Sequence, residues 1–211
     1  MTNGRPAWSQ EKEQTLLAAL LLAAWSPLAY GAAVMIGQST LMFADLLRRS
    51  VELVSLFAAW FVYWLARRRG VSAAVFKKWE RQSSAAVAVA LGVSAFVVVL
   101  RAVSELQAPA PVDRVWLGIV LASLGVAVNG WFWRRHRRLA GESSSSLFES
   151  QWRLFRSKTL LDVWVVLNLS LSSALRHETW ARVLDPAGSL ILAVVLAASA
   201  LQVVGLLRRA G

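Results

Sequence analysis

Six long apolar segments, separated by short polar stretches, make up most of this chain. Each has close to or more than the ~20 residues that an α-helix needs to cross the hydrocarbon core of a bilayer. The apolar residues run continuously instead of alternating with polar ones, which disfavours half-buried strands. The pattern therefore predicts an all-α integral membrane protein, a six-helix bundle with spans at about 15–36, 40–66, 83–105, 114–133, 150–175 and 187–207.

The composition agrees with a membrane protein. Hydrophobic residues make up 57% of the 211 positions, charged residues make up 17%, and the mean hydropathy is +0.51. Soluble domains carry more charge and are usually about half apolar. The absence of cysteine excludes disulfides and thiolate metal sites. We expect a cytoplasmic N-terminal segment at 1–14, a transmembrane domain at 15–207 and a short tail at 208–211, without a cytoplasmic C-terminal domain.

The distribution of basic residues predicts the orientation. A net charge of +11 would suggest a nucleic-acid partner, but the basic residues concentrate on one side of the predicted spans, which argues against nucleic acid. In the opposite connections the charges cancel: Arg101 and Arg114 balance Glu105 and Asp113, and Arg176 and Arg182 balance Glu178 and Asp185. We therefore predict a multi-pass protein of the cell membrane with both termini cytoplasmic. Anionic lipid head groups are then expected at the basic turns, which contain Arg67, Arg68, Arg69, Lys77, Lys78, Arg81, Arg134, Arg135, Arg137, Arg138, Arg208 and Arg209.

Two of the apolar segments each carry an acid and a base four residues apart. The pairs are Asp45 with Arg49, and Lys158 with Asp162. Residues four apart share one face of a helix, and by the same spacing Arg48 can reach Glu52. Ionisable groups inside a membrane are costly and usually mark a functional site. Asp45, Arg49, Lys158 and Asp162 are therefore the candidate site.

The order of the segments resembles the cation diffusion facilitator (cation efflux) family. The resemblance rests on the second segment IGQSTLMFADLLRRSVELVSLFAAWFVYWLARRR, the fifth segment SLFESQWRLFRSKTLLDVWVVLNLSLS and the Leu-Asp-Pro entry of the sixth. It implies six spanning helices with cytoplasmic termini and exchange of a divalent cation, such as zinc, for protons. It also implies a homodimer, with no permanently bound cofactor. The family pairs two residues of the second helix with two of the fifth, which by position are Asp45, Arg49, Lys158 and Asp162.

Two of these four positions depart from metal-binding chemistry. Asp45 and Asp162 are compatible with a metal, whereas the charged side chains of Arg49 and Lys158 have no acceptor atom. With all four groups ionised the cluster is already neutral. At ~4 Å and an effective dielectric constant of ~20, each contact between a dication and a monocation costs on the order of 8 kcal/mol. Arg49 and Lys158 are therefore predicted to act as counter-ions in place of the transported ion.

Three interpretations remain open from the sequence. The chain is a transporter with an altered site, or a transport-incompetent relative that acts as a membrane partner or regulatory subunit, with the four charges as a salt-bridge lock. In the third interpretation the charges are purely structural and snorkel toward water, which suits Arg48 and Lys158 better than the two aspartates. None of the three makes or breaks a covalent bond, so an enzyme is not predicted.

Overall fold

The computed structural model describes residues 10–37, 39–107, 114–142, 146–175 and 181–209. These residues form six α-helices and no strand, which confirms the all-α prediction. The helices are α1 (Gln10–Gly37), α2 (Thr40–Arg69), α3 (Ala73–Gln107), α4 (Trp116–Glu142), α5 (Ser146–Ala174) and α6 (Ala181–Arg209).

Four helices are long and apolar enough to cross a membrane, judged over the described residues. The segments are Thr40–Ala66, Ala74–Gln107, Trp116–Arg135 and Val183–Gly205, and Ala23–Gly37 is a shorter apolar stretch. On α3 the exposed side chains form one apolar face at spacings of three and four residues: Val89, Val93, Phe96, Leu100 and Val103. A continuous apolar face of this length is suited to contact with lipid. The chain is a membrane-embedded helical protein.

Helices α3 and α6 begin earlier than the hydropathy pattern predicts. The sequence placed their starts at about 83 and 187, whereas they begin at Ala73 and Ala181. Asp185, counted above as a charge of an outer connection, lies inside α6 and is fully buried. The charge count could not show this burial, because the partners of the carboxylate are distant in the sequence.

The chain divides into two compact units. The first contains 1–29, 46–97 and 193–211, and the second contains 30–45 and 98–192. Within the first unit, α2 ends in a left-handed glycine cap: Gly70 has a φ of 56°, and the amide of Val71 donates to the carbonyl of Ala66 at 3.4 Å. This is the Schellman arrangement, which satisfies carbonyls that a helix end would leave unpaired.

Aromatic side chains cluster near that end of α2. Trp60 and Trp64 stack with ring centroids 6.0 Å apart, and the guanidinium of Arg68 lies 4.6 Å from the Trp64 ring. In the second unit, Arg135 lies 5.1 Å from the Trp131 ring on α4. Tryptophan beside a basic residue is typical of a helix end at a membrane interface.

Within the second unit, α4 packs against α5. The rings of Phe132 and Phe155 stack 4.9 Å apart at an interplanar angle of 17°. Close to this pair, a Cβ added to Gly130 would come within 3.7 Å of the Thr159 methyl group, an ordinary contact. This packing positions the part of α5 that carries Lys158 and Asp162.

Candidate functional site

The first turn of α2 is held by side chains from both its own segment and α6. Ser39 is the N-cap residue: its Oγ accepts a hydrogen bond from the amide of Met42 at 3.1 Å, and its carbonyl accepts from the amide of Phe43 at 3.1 Å. The amides of Thr40 and Leu41 have no partner within the helix and must find one elsewhere.

Asp185 provides that partner. Its Oδ2 accepts from the amide of Thr40 at 2.7 Å and from the amide of Leu41 at 3.2 Å, and its Oδ1 accepts from the Ser39 hydroxyl at 2.7 Å. All four amide donors of the first turn of α2 therefore have acceptors, which matters in a bilayer where water does not satisfy them. A carboxylate at this end also complements the positive end of the helix dipole.

A second polar chain extends from the same turn to α3. The Thr40 hydroxyl donates to the Glu105 carboxylate and accepts from Arg101 Nε at 3.3 Å. The Arg101 guanidinium also lies 4.4 Å from the centroid of the Phe43 ring. Arg101 and Glu105 were counted above with the outer connection, but both side chains have partners within the second unit. This cluster of α2, α3 and α6 residues was not predicted from the sequence.

Asp45 lies on α2, six residues after the N-cap, and is fully buried in the second unit. At 1.5 Å per residue this places it about 9 Å along the helix from Ser39. The anchored first turn therefore fixes the position of Asp45 along the helix axis.

Asp162 lies on α5 in the same unit and is also fully buried. Its Oδ2 accepts a 2.7 Å hydrogen bond from Nδ2 of Asn129 on α4. One turn earlier on α5, the Thr159 hydroxyl donates to its own helix, at the Phe155 carbonyl, 2.8 Å away. The proton of the Thr159 hydroxyl is therefore used by the backbone of α5. Asn129 was not foreseen, because a lone Asn in an apolar segment carries no distinctive signal.

The two basic candidates are less deeply buried than the aspartates. Lys158 is half-buried on α5 in the second unit. Arg49 is half-buried on α2 in the first unit, where its Nη1 donates to the Ser26 hydroxyl on α1 at 3.1 Å. The structure thus places Asp45, Lys158 and Asp162 in one unit and assigns Arg49 to the other. The hydroxyl partner on α1 was not predicted.

The predicted pair of Arg48 with Glu52 is confirmed. Arg48 Nη1 lies 3.7 Å from Glu52 Oε1, and Arg48 is buried. Burial of this side chain within the protein contradicts the interpretation in which Arg48 snorkels toward water.

No cluster of three or more His, Cys, Asp or Glu side chains suited to a metal ion occurs in the part of the chain that the structure describes. Metal-compatible donors around Asp162 are its own carboxylate and the amide oxygen of Asn129. Carboxylate and amide oxygens suit hard divalent cations, and carboxylates also bind zinc.

Buried polar groups continue along α5 toward its C-terminal end. Asn168 Nδ2 donates to the Leu184 carbonyl of α6 at 3.1 Å, and Trp164 Nε1 donates to the Gly188 carbonyl at 3.3 Å. A Cβ at Gly188 would lie 2.3 Å from Asn168 Nδ2, so any other residue at this crossing would displace the Asn168 side chain. The α5–α6 contact is therefore polar as well as close.

Several helices long enough to cross a membrane, together with fully buried aspartates on α2 and α5, define a polytopic membrane protein with buried ionisable groups, a class that includes ion transporters. The family model described as "Cation efflux transmembrane domain" matches residues 16–205, and the chain belongs to the cation efflux family. This confirms the resemblance to the cation diffusion facilitators. A search of curated proteins found no match to this chain.

Proposed function

We propose that this cation efflux protein moves a divalent metal cation across the membrane in exchange for protons, with Asp45 and Asp162 as ligands. The observation that supports this most is the full burial of two carboxylates, on α2 and α5, within one compact unit of a membrane protein. A carboxylate buried in such a place is costly unless its charge is compensated, so a cation is a suitable partner for these groups during the transport cycle.

In this proposal Arg49 and Lys158 balance the aspartates when no substrate is bound. A dication then enters only if these two positive groups withdraw, because they would repel it. Arg49 can keep its hydrogen bond to the Ser26 hydroxyl when its guanidinium moves away from the aspartates. The Asn129 amide donates to Asp162 in this structure, and rotation of the amide would present its oxygen to a cation instead.

Proton exchange follows from the same carboxylates. When the cation leaves while Arg49 and Lys158 are still withdrawn, a proton on each of Asp45 and Asp162 keeps the buried site neutral, and these protons leave when the two basic groups return. Coupling then requires no additional titratable residue. The cycle includes no covalent step, consistent with a transporter and not an enzyme.

A second candidate function is a non-transporting partner or regulator of another membrane protein. The residues at Arg49 and Lys158 favour it, since neither charged side chain is a metal ligand, and so does the lack of a three-donor cluster among the described residues. Here Asp45, Arg49, Lys158 and Asp162 form a salt-bridge lock between α2 and α5.

Metal flux into proteoliposomes with an imposed pH gradient separates the two functions. Zinc, manganese, cobalt and iron would be tested on the native chain beside the double variant Asp45→Asn/Asp162→Asn, which keeps side-chain size. Glu80→Gln, which removes an exposed carboxylate of α3, is the matched control. We expect flux of at least one metal, lost in the double variant and kept in the control. Folded native protein without flux of any metal would contradict transport and favour the partner function.

We further propose that the protein lies in the cell membrane with both termini cytoplasmic and acts as a homodimer. The pairs Arg68–Trp64 and Arg135–Trp131 support a position of these helix ends at the membrane–water interface. Anionic lipid head groups would meet the basic turns there.

A further inference from the structure

Asn168 and Ser172 continue the buried face of α5 beyond Asp162. Val165 and Leu169 lie on the same face, and both are fully buried. Steps of three and four residues connect all of these positions, so they form a line along one side of the helix that winds through about 120° around its axis. With a rise of 1.5 Å per residue, Asn168 lies about 9 Å and Ser172 about 15 Å beyond Asp162.

Two oxygens on this line are buried without a protein partner. Asn168 Oδ1 and Ser172 Oγ have no hydrogen-bond partner among the described residues, and their side chains are 6% and 0% exposed. The Asn168 amide nitrogen is already bonded to the Leu184 carbonyl, which leaves the oxygen directed elsewhere. A buried polar atom without a partner costs about 1–3 kcal/mol, so native structures normally provide one, often an ordered water.

The spacing of the two residues fits a water bridge. Side chains four residues apart on a helix have Cβ atoms about 5–6 Å apart. One water that makes two hydrogen bonds of about 2.8 Å bridges two oxygens up to about 5.6 Å apart, a separation that side chains on such neighbouring Cβ atoms can present. The absence of a side chain at Gly188 of α6 leaves room for the Asn168 amide, because any Cβ there would push the amide out of position.

We propose that Asn168 Oδ1 and Ser172 Oγ hold ordered water and form a hydrated path from Asp162 toward the C-terminal end of α5. This inference rests on the proposed transport function, for which it supplies a route that the two aspartates alone do not. A cation that leaves Asp162 would otherwise meet only apolar groups such as Val165 and Leu169 along this face. Neutral oxygens about 9 Å and 15 Å beyond Asp162 let it exchange ligands without being trapped by a further charge.

The chain has no cysteine, so single cysteines can report water access without background. Asn168→Cys and Ser172→Cys would be treated in proteoliposomes with a cationic methanethiosulfonate (the ethylammonium reagent) present on both sides. Leu167→Cys and Leu171→Cys are the depth-matched controls, because both positions lie one residue away on the exposed, lipid-suited face. A thiol reacts as its thiolate, which forms in water and not in hydrocarbon.

We expect the two path cysteines to react at least about tenfold faster than their controls, because only they meet water. Adding Asn168→Leu should slow the reaction of Ser172→Cys, since this change removes the oxygen that holds the water. If Asn168→Cys does not fold, the comparison of Ser172→Cys with Leu171→Cys, with and without Asn168→Leu, still decides the matter.

Equal rates for path and control cysteines would overturn the inference. The labelling does not depend on metal flux, so failure of the two proposals can be told apart. Labelling without flux would support the hydrated path and count against transport by this chain. Flux without labelling would support transport and exclude this path.

Discussion

The start of α2 and the middle of α5 depend on fully buried aspartates of the same compact unit, but the two carboxylates have different kinds of partner. Asp185 accepts two backbone amides and the Ser39 hydroxyl, all at 3.2 Å or less. Asp162 accepts from a side-chain amide of another helix, Asn129. Backbone donors at a helix end cannot leave without unwinding the helix, whereas a side-chain amide can rotate away. The first arrangement is suited to structure and the second to exchange of ligands.

The largest stability loss is expected at Asp185. Asp185→Ala leaves the amides of Thr40 and Leu41 and the Ser39 hydroxyl without their acceptor inside an apolar environment. We expect a loss of about 3–5 kcal/mol in the free energy of unfolding, measured as a fall in thermal midpoint in detergent. Glu80→Ala, at an exposed carboxylate, should change the midpoint little. A midpoint for Asp185→Ala equal to that of this control would refute the structural assignment.

A smaller loss is expected at the α5–α6 crossing. Gly188→Ala places a methyl group 2.3 Å from Asn168 Nδ2. This overpacking should lower the free energy of unfolding by about 1–3 kcal/mol. Asn168→Ala in the same chain should recover part of the loss, because it removes the clashing amide. Gly92→Ala meets nothing within 4 Å on α3 and should be neutral or slightly stabilising. Additive losses at 188 and 168 would contradict the proposed crossing.

Removal of the Thr40 hydroxyl tests the link from α2 to α3. Thr40→Val keeps the shape but leaves Glu105 and Arg101 without the hydroxyl between them. We expect a loss of about 1–2 kcal/mol, while Thr40→Ser, which keeps the hydroxyl, should stay close to the native value. The comparison of the two variants in thermal denaturation isolates the hydrogen bonds. A Val variant as stable as the native protein, or a Ser variant that loses as much as Val, would contradict this role of the hydroxyl.

The contrast between the two aspartates also shows what the sequence could predict. The length of the apolar runs predicted the six helices, and the spacing of four residues predicted the Arg48–Glu52 pair, because both depend on neighbours along one helix. The role of Asp185 depends on Ser39 and Thr40, about 145 residues away in the chain. A polar residue at the end of an apolar segment has the same local pattern whether it faces water or caps another helix.

The same limit applies to the candidate site. Asp45 and Asp162 stood out because a carboxylate in an apolar run is rare, and both are buried as the functional interpretation requires. Asn129, Asn168 and Ser172 carry no charge and gave no signal above the many polar residues that helices tolerate. Their significance comes from burial and from the bonds they make or lack, which only the folded chain shows.

The smallest stability change and the largest functional change should coincide at Asp162. Asp162→Asn keeps the shape and an oxygen for the Asn129 amide, so we expect it to lower the free energy of unfolding by about 1 kcal/mol or less. Asp185→Asn should cost more, because an amide offers one oxygen where backbone and hydroxyl donors meet two. Both variants would be compared by thermal denaturation and by metal flux. If Asp162→Asn destabilised the protein as much as Asp185→Asn, Asp162 would belong to a salt-bridge lock, and the partner function would gain over transport.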